Sequence, residues 1–336
     1  MGKAAAARKL ASAAAYGGGG LSVMGASVYG VLLAEALMAR RSIGNAEGEP
    51  PDATGWYGAS RPGPALKVAL LGDSSAGGYG VHRVLDTPGA RLASGLAEGM
   101  DRRVYLQSVA RVGAQSRDLD QQITDALAVE PTVAVILVGV NDITHRRRPS
   151  EAIRLLGAAT RRLREAGVEV VVGTCPDLGT IQPIAPPLRQ FARAWSRRLA
   201  AAQTIAVVEA GGRTVSLGDL LSPHFAAAPK VLFGPDQFHP SAAGYAALAQ
   251  ALQPSVLAAL GVVEPGEESP ERARGDVVLP VAQAAVSAAK VPGTEVDGTE
   301  VRGAERGRRG RWAQLRLRRR NPEPEVEAPA EEPASV

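Results

Sequence analysis

The segment Lys67-Val68-Ala69-Leu70-Leu71-Gly72-Asp73-Ser74 decides how this chain of 336 residues folds. A short apolar run is typical of a buried strand, and three turn-forming residues follow it at once. The segment therefore predicts a strand with Ser74 just beyond its carboxyl end. In open parallel α/β sheets, ligands bind in the crevice outside the carboxyl ends of the strands. Ser74 is thus a candidate functional residue.

The same arrangement recurs further along the chain. Val104-Tyr105-Leu106, together with Val109, leads to Arg111-Val112-Gly113, and the apolar run 133–138 leads to Gly139-Val140-Asn141. Two more apolar runs, Val168–Val172 and Ile205–Val208, predict a fourth and a fifth strand. Gly113 and Asn141 are therefore expected at the same edge of the sheet as Ser74.

Helical patterns separate these strands. They cover residues 117–128, 150–166, 188–202 and 242–260. Crossovers of this length suit right-handed βαβ units in a parallel sheet. The chain is 45% hydrophobic but only 4% aromatic, so its core must be built largely from Ala, Val and Leu. We predict an α/β fold, a three-layer α/β/α sandwich with a five-stranded parallel sheet.

A carboxylate and an imidazole follow in Asp236-Gln237-Phe238-His239. A serine hydroxyl attacks poorly at neutral pH, so it needs a histidine to accept its proton and a carboxylate to orient that histidine. Three positions span about one helical turn, which would place Asp236 and His239 on the same side. Ser74, His239 and Asp236 together are candidates for a catalytic triad.

These motifs, in this order, resemble the SGNH or GDSL-type hydrolase family, and the resemblance covers roughly residues 65–262. The four family letters match Ser74, Gly113, Asn141 and His239. The resemblance implies a flavodoxin-like SGNH fold, Ser74 as nucleophile, and Asp236 with His239 as the other triad members. It also implies an oxyanion hole made of Ser74, Gly113 and Asn141. One departure is Ser75, where the family usually has an aliphatic residue.

Other chemistries lack their motifs in this sequence. The G-x-S-x-G elbow of α/β-hydrolases, a Walker-type G-x-x-x-x-G-K, an H-E-x-x-H pair and C-x-x-C do not occur. We therefore expect no metal and no cofactor. The loop histidines His82, His145 and His224 receive no catalytic role, and Asp73 and Asp142 are interpreted as loop organisers. Cys175, which is the single cysteine, is interpreted as a packed or loop thiol.

The composition of the first part of the chain predicts a membrane anchor or a signal segment. No charged residue occurs from Leu10 to Ala34, a length that exceeds the hydrocarbon thickness of a bilayer if helical. We expect an uncleaved anchor with the catalytic domain extracytoplasmic, because basic residues slightly favour an inside amino terminus. Cleavage near Ala36 followed by secretion, or a position on the cytoplasmic face, are the alternatives.

The chain after the last helix differs in composition. Arg302–Arg320 carries a charge of +8, whereas the whole chain carries +4, so the basicity is local. Pro, Gly, Glu and Arg dominate from residue 264 onward, which predicts a mostly disordered tail with a short helix within residues 276–290. The Arg cluster is a candidate contact for anionic lipids or polymers, and nucleic acid is the weakest option.

These observations divide the chain into an anchor or signal segment (1–42), a linker (43–64), a catalytic domain (65–262) and a largely disordered charged tail (263–336). The main hypothesis is hydrolysis of carboxylic esters, with a small-molecule, lipid or polysaccharide acyl ester as substrate. Two alternatives stay open: transfer of the acyl group to a sugar or lipid hydroxyl, and a catalytically silent membrane-anchored scaffold.

Overall fold

The computed structural model describes residues 30–39, 41–43, 48–145, 148–218, 228–262, 277–291, 293–307 and 310–317. The strands are β1 (Gly55–Tyr57), β2 (Leu66–Gly72), β3 (Val104–Ser108), β4 (Val133–Leu137), β5 (Glu169–Gly173), β6 (Arg213–Val215), β7 (Val277–Pro280), β8 (Thr294–Thr299), β9 (Arg306–Gly307) and β10 (Gly310–Leu317).

The helices are α1 (30–39), α2 (Ser74–Gly77), α3 (Pro88–Met100), α4 (Leu119–Leu127), α5 (Val140–Thr144), α6 (Pro149–Glu165), α7 (Leu188–Glu209), α8 (Pro229–Leu232), α9 (Ala242–Ala259) and α10 (Val281–Ala288). Short 3-10 turns occur at Val84–Asp86, Ser116–Asp118 and Leu178–Thr180.

Five parallel strands form the centre of the sheet in the order β3-β2-β4-β5-β6. Counted in chain order, this is the 2-1-3-4-5 arrangement of flavodoxin-like folds. The strand order reverses between β2 and β4, so a crevice is expected where these two strands end. Ser74 follows β2 and Asn141 follows β4, which places both residues beside that crevice.

Helices cover both faces of this sheet. On one face, α3 and α9 enclose side chains that include Leu70, Val135 and the fully buried Tyr245. On the other face, α4, α6 and α7 enclose side chains that include Leu71, Ile136 and Val172. Strands β2 and β4 are buried almost throughout, as central parallel strands are when helices cover both faces. The three-layer α/β/α sandwich is confirmed.

The fifth parallel strand is not the predicted one. Ile205–Val208 forms the last turns of α7, and the strand at that edge of the parallel sheet is Arg213–Val215. A short apolar run does not distinguish a strand from a buried helical segment. Here Val207 and Val208 are both fully buried within the helix, which explains the strand-like composition.

Three strands after residue 276 extend the sheet beyond β6. Strand β8 pairs antiparallel with β6, β10 pairs with β8, and β7 pairs with β10. Helix α10 packs against α7 around Val208, Val281 and Val296. The prediction of a largely disordered tail is therefore wrong for the described residues of 277–317. A short helix within residues 276–290 is confirmed.

The structure also describes part of the predicted linker and part of the predicted Arg cluster. The predicted linker contains β1, which pairs antiparallel with β3. Arg311, from the predicted Arg cluster, donates to the carbonyl oxygens of Val208 and Glu209 at the end of α7.

Within the described residues, no helix has the length and apolarity needed to cross a bilayer. Residues 1–29 of the predicted anchor, and the tail beyond residue 317, lie outside the described part.

Candidate active site

Ser74 is the first residue of α2, immediately beyond the carboxyl end of β2. The chain turns sharply at Gly72, whose φ of 138° lies outside the usual range for residues with a side chain. A Cβ at this position would lie 1.9 Å from the carbonyl oxygen of Leu137. Only glycine allows the ends of β2 and β4 to approach this closely. The Asp73 N–H then donates to the same Leu137 oxygen at 3.0 Å.

The buried side chain of Gln122 holds this turn in place. Its Oε1 accepts from the Gly72 N–H at 2.8 Å, and its Nε2 donates to the Gly72 carbonyl at 3.0 Å. Gln203 makes a similar clamp at the neighbouring strand ends, where it accepts from Cys175 N–H and donates to Val138 O. Sequence reasoning missed both residues, because an isolated glutamine within a helix gives no signal of a contact that is distant in sequence.

Asp236 and His239 lie in a tight turn and not in the predicted helical turn. Gln237 has a φ of 55°, which a continuous right-handed helix does not permit. Asp236 Oδ1 accepts from the backbone N–H groups of Phe238 and His239 at 3.1 and 3.0 Å. These bonds fold the turn back on itself. The carboxylate therefore contacts the imidazole across a tight turn, and not along one side of a helical turn as the spacing predicted.

The Asp236 carboxylate and the His239 ring are directly bonded. The distance from His239 Nδ1 to Asp236 Oδ2 is 2.6 Å. Burial acts to raise the pKa of Asp236, but hydrogen bonds from His239 and Phe238 outweigh burial, so the pKa lies below its ordinary value. The carboxyl group is thus ionised at neutral pH, where it can stabilise a protonated imidazole.

The other ring nitrogen faces the serine. His239 Nε2 lies 3.0 Å from Ser74 Oγ, although the two residues are 165 positions apart in sequence. Ser74 and His239 are both mostly buried. The structure therefore brings together Ser74, His239 and Asp236 in one hydrogen-bonded row, as their predicted roles require.

Two tyrosines support the imidazole. The ring of Tyr79 meets the His239 ring edge-on, with centroids 4.8 Å apart. The Tyr245 hydroxyl donates to the Tyr79 carbonyl at 2.8 Å, and the Tyr79 N–H donates to the Ser74 carbonyl at 3.0 Å. Burial raises the pKa of Tyr245 well above its ordinary value, so its hydroxyl keeps this donor proton. Neither tyrosine was identified from the sequence.

A hydrogen bond joins Asn141 to the loop that contains Gly113. Asn141 Nδ2 donates to the Ala114 carbonyl at 3.0 Å. Next to it, the Asp142 carboxylate accepts from the N–H and hydroxyl of Ser116, the latter at 2.7 Å. Gly113 is exposed, with a φ of 80° and open space where a Cβ would stand. The structure thus joins the loops that follow β3 and β4.

Asp73 and Asp142 organise loops, as predicted. Asp73 caps α2 by accepting from the Ser75 N–H at 2.9 Å. Its side chain is buried, and burial raises the pKa to about 6, against the opposing effects of the Ser75 hydrogen bond and nearby His239. Asp142 ties α5 to Ser116, as described above.

The remaining candidates have ordinary surroundings. His145 Nδ1 lies 2.9 Å from the Asn141 carbonyl at the end of α5, and His82 is exposed. His224 lies outside the described residues. Cys175 is buried, and burial raises the pKa of its thiol well above the ordinary value, which leaves it unreactive.

An apolar cavity of about 70 Å³ lies under the Asp236–His239 turn. Its wall includes the residues on both sides of Ser74, namely Asp73 and Ser75, and those on both sides of His239, namely Phe238 and Pro240. Ser75 thus contributes to the cavity wall. Among the residues that the structure describes, no group of histidine, cysteine or acidic side chains is arranged to hold a metal ion.

Comparisons with known proteins find a matching family and one similar curated protein. A model of the GDSL-like lipase/acylhydrolase family matches residues 70–247. The chain is 41% identical over 256 residues to the GDSL-like esterase Rv1075c of Mycobacterium tuberculosis, which covers 72% of this chain and 80% of that protein.

Two solved structures are also similar. One is LAE5, an α/β hydrolase enzyme from the metagenome of Lake Arreo, Spain, at 19% identity and a TM-score of 0.47, over 60% of this chain and 97% of that chain. The other is Axe2, an acetylxylan esterase from Geobacillus stearothermophilus, at 18% identity and a TM-score of 0.44, over 58% of this chain and 94% of that chain.

Proposed function

The chain belongs to the GDSL-like lipase/acylhydrolase family, and from this premise we propose that it hydrolyses carboxylic esters through a Ser74-His239-Asp236 triad. The observation that carries the proposal is the row of two hydrogen bonds, 3.0 Å from Ser74 Oγ to His239 Nε2 and 2.6 Å from His239 Nδ1 to Asp236 Oδ2. It gives the hydroxyl a base and gives that base a carboxylate that fixes its orientation.

Each residue has one role in the reaction. Ser74 Oγ attacks the ester carbonyl carbon while His239 Nε2 takes the hydroxyl proton. Asp236 accepts from Nδ1–H, holds the tautomer that leaves Nε2 free, and stabilises the imidazolium. His239 then returns the proton to the leaving alkoxide, which departs as the alcohol. In the second half, His239 Nε2 takes a proton from a water that attacks the acyl carbon, the bond from that carbon to Ser74 Oγ breaks, and His239 returns the proton to Oγ as the carboxylic acid leaves.

We assign the oxyanion hole to the N–H groups of Ser74 and Gly113 and to the side-chain amide of Asn141. Ser74 begins a helix, where the first N–H groups lack partners within the helix. The bond from Asn141 Nδ2 to the Ala114 carbonyl fixes the amide plane and uses one of its two hydrogens. The same bond holds the Gly113 loop beside Asn141. These features support a preorganised donor set.

Covalent labelling tests the nucleophile. A fluorophosphonate probe should label the native chain stoichiometrically and should not label Ser74→Ala. The matched control is Ser75→Ala, an adjacent serine that forms part of the cavity wall, which should still be labelled. Labelling that survives in Ser74→Ala and disappears in Ser75→Ala would show that the nucleophile is misassigned.

Hydrolysis of p-nitrophenyl acetate tests the oxyanion donor. Asn141→Ala should lower kcat by about 10² to 10³, the usual effect of losing one such donor. Thr144→Ala, in the same short helix, is the control and should retain near-native turnover. Product analysis with a hydroxyl acceptor present distinguishes the chemistry: free acid supports a hydrolase, whereas an acylated acceptor would identify a transferase.

We also propose that the N-terminal segment holds the enzyme at a membrane. The support is the uncharged stretch from Leu10 to Ala34, which is long enough to cross a bilayer if helical. Fractionation of cells that express the full chain tests this: the protein should sediment with membranes and resist extraction by high salt. Recovery in the soluble fraction would refute it.

A further inference from the structure

Helix α1 is oriented with its polar side chain inward and its apolar side chains outward. Glu35 and Ala39 are buried against the protein, whereas Val31, Leu33, Leu37 and Met38 are exposed. No charged residue lies on the exposed face between residues 30 and 38. This is the reverse of an ordinary surface helix, whose apolar stripe faces the core. The exposed face therefore suits an apolar environment.

Glu35 fixes where this helix lies. Its Oε2 accepts from the Leu188 N–H at 2.9 Å, so its carboxylate caps the amino end of α7. Leu37 and Met38 are within one turn of Glu35, and Phe191 is one turn beyond Leu188. The hydrogen bond therefore holds α1 against the amino end of α7, the helix that carries Phe191.

Helix α7 also has exposed apolar side chains, and it carries positive charge. Phe191 and Trp195 are about half exposed, one turn apart. Residues 188–198 contain four arginines and no acidic residue. Arg193 and Arg197 pair with the buried Asp177, so the segment keeps a net positive charge, and Arg198 is exposed. Aromatic side chains beside arginines are typical of helices that lie at the surface of an anionic bilayer. We name the α1–α7 surface as Val31, Leu33, Leu37, Met38, Phe191 and Trp195.

A groove of about 290 Å³ lies beside Trp195 on α7. Trp195 and Arg198 line one part of the groove. Asp142 and Ile143, which directly follow Asn141, line another part.

We propose that the α1–α7 surface binds a lipid bilayer with anionic headgroups, so that the enzyme acts on esters dissolved in that bilayer. The inference rests on the proposed ester hydrolysis and specifies where its substrate resides. Three observations favour lipid as the occupant. The exposed face is apolar, arginines border it, and the uncharged stretch from Leu10 to Ala34 runs directly into α1.

Tryptophan quenching tests the contact in the full-length chain. Vesicles that contain phosphatidylglycerol with brominated acyl chains quench only tryptophans that reach the acyl region. The quenching should largely disappear in Trp195→Phe. Trp56→Phe is the matched control, because Trp56 is similarly exposed, at 53% against 45%, but lies on β1 at the other edge of the parallel sheet. Quenching that is equal in the two variants would overturn the proposal.

Kinetics test the consequence for catalysis. In Phe191→Glu/Trp195→Glu, hydrolysis of a long-chain 4-methylumbelliferyl ester dissolved in the vesicles should fall at least about tenfold, since two half-exposed aromatic side chains lose their lipid contact. Trp56→Glu should leave this rate unchanged. Hydrolysis of p-nitrophenyl acetate in solution should stay at the native rate in both variants, which also confirms that they fold.

The outcomes separate this inference from the proposed function. An inactive native enzyme on p-nitrophenyl acetate would refute the esterase proposal itself. A double variant with native rates on both substrates would refute the lipid surface alone. A stable dimer in solution that the double variant dissociates would show that a second copy of the chain occupies the surface, and would likewise overturn the lipid assignment.

Discussion

Replacement of Gln122 by methionine tests whether a residue distant from the reaction positions the nucleophile. Methionine has nearly the same volume and flexibility as glutamine but offers no amide. In the native protein the Gln122 amide bonds both polar groups of Gly72, at 2.8 and 3.0 Å. Because Gly72 is two residues before Ser74, its orientation helps to set the direction of the Ser74 hydroxyl.

The expected loss of stability depends on which polar groups of Gly72 still have a hydrogen-bond partner in Gln122→Met. The Gly72 carbonyl keeps a second partner, the Arg111 N–H at 3.1 Å, whereas the Gly72 N–H loses its bond to Gln122 Oε1. A buried donor without a partner costs about 1 to 3 kcal/mol. We therefore expect the free energy of unfolding of Gln122→Met to fall by that amount. Small displacements of a reacting group slow catalysis strongly, so kcat should fall about tenfold with KM little changed.

The assay combines urea unfolding with turnover of p-nitrophenyl acetate. Gln121→Met is the control, because Gln121 is exposed and its amide bonds Asp125 on the surface. It should stay within about 0.5 kcal/mol of the native protein. If Gln122→Met also stays within that range and keeps native kcat, the clamp does not position Ser74, and the reasoning fails.

Three further predictions address the fold and the site. Gly72→Ala should abolish soluble expression, because its Cβ would overlap the Leu137 carbonyl; a folded, active variant would contradict the assigned turn. For Asp73, the folded pKa of about 6 lies above the ordinary value of 3.8, so the folded state holds the proton more tightly and stability should fall by on the order of 3 kcal/mol between about pH 4 and pH 6. Asp73→Asn keeps a helix cap and should flatten that dependence in urea unfolding; an unchanged profile would show that Asp73 is not its source. Truncation after Val262 should lower the melting temperature and promote aggregation, because it uncovers Val208 and the edge of β6; an equally stable truncated chain would restore the predicted boundary.

The sequence predicted the parts of the fold whose signals are local. The apolar runs of β2 and β4 and the turn residues after them placed Ser74 and Asn141 correctly beside the crevice. Ile205–Val208 misled the prediction, since a buried helical end and a buried strand share the same composition. The real β6 has only three residues, too few to show a pattern.

Other features depend on contacts that composition does not encode. Strands β8, β9 and β10 contain many polar residues, glycines and arginines. They nevertheless extend an existing sheet, which supplies backbone partners that the segment alone lacks. Buried ion pairs help to attach them, as between Arg213 and Glu295 at 3.1 Å. The clamps of Gln122 and Gln203 likewise join positions 50 and 28 residues apart. Such pairings become visible only when the chain is folded.

The turn that holds Asp236 and His239 is closed at its base. Phe233 bridges Pro240, and the Gly234 N–H donates to the His239 carbonyl at 2.8 Å. Carboxylate and imidazole consequently form one rigid unit, and any displacement of that unit carries both groups together. Movement of that unit would therefore break the contact between His239 Nε2 and Ser74 Oγ without separating the imidazole from its carboxylate.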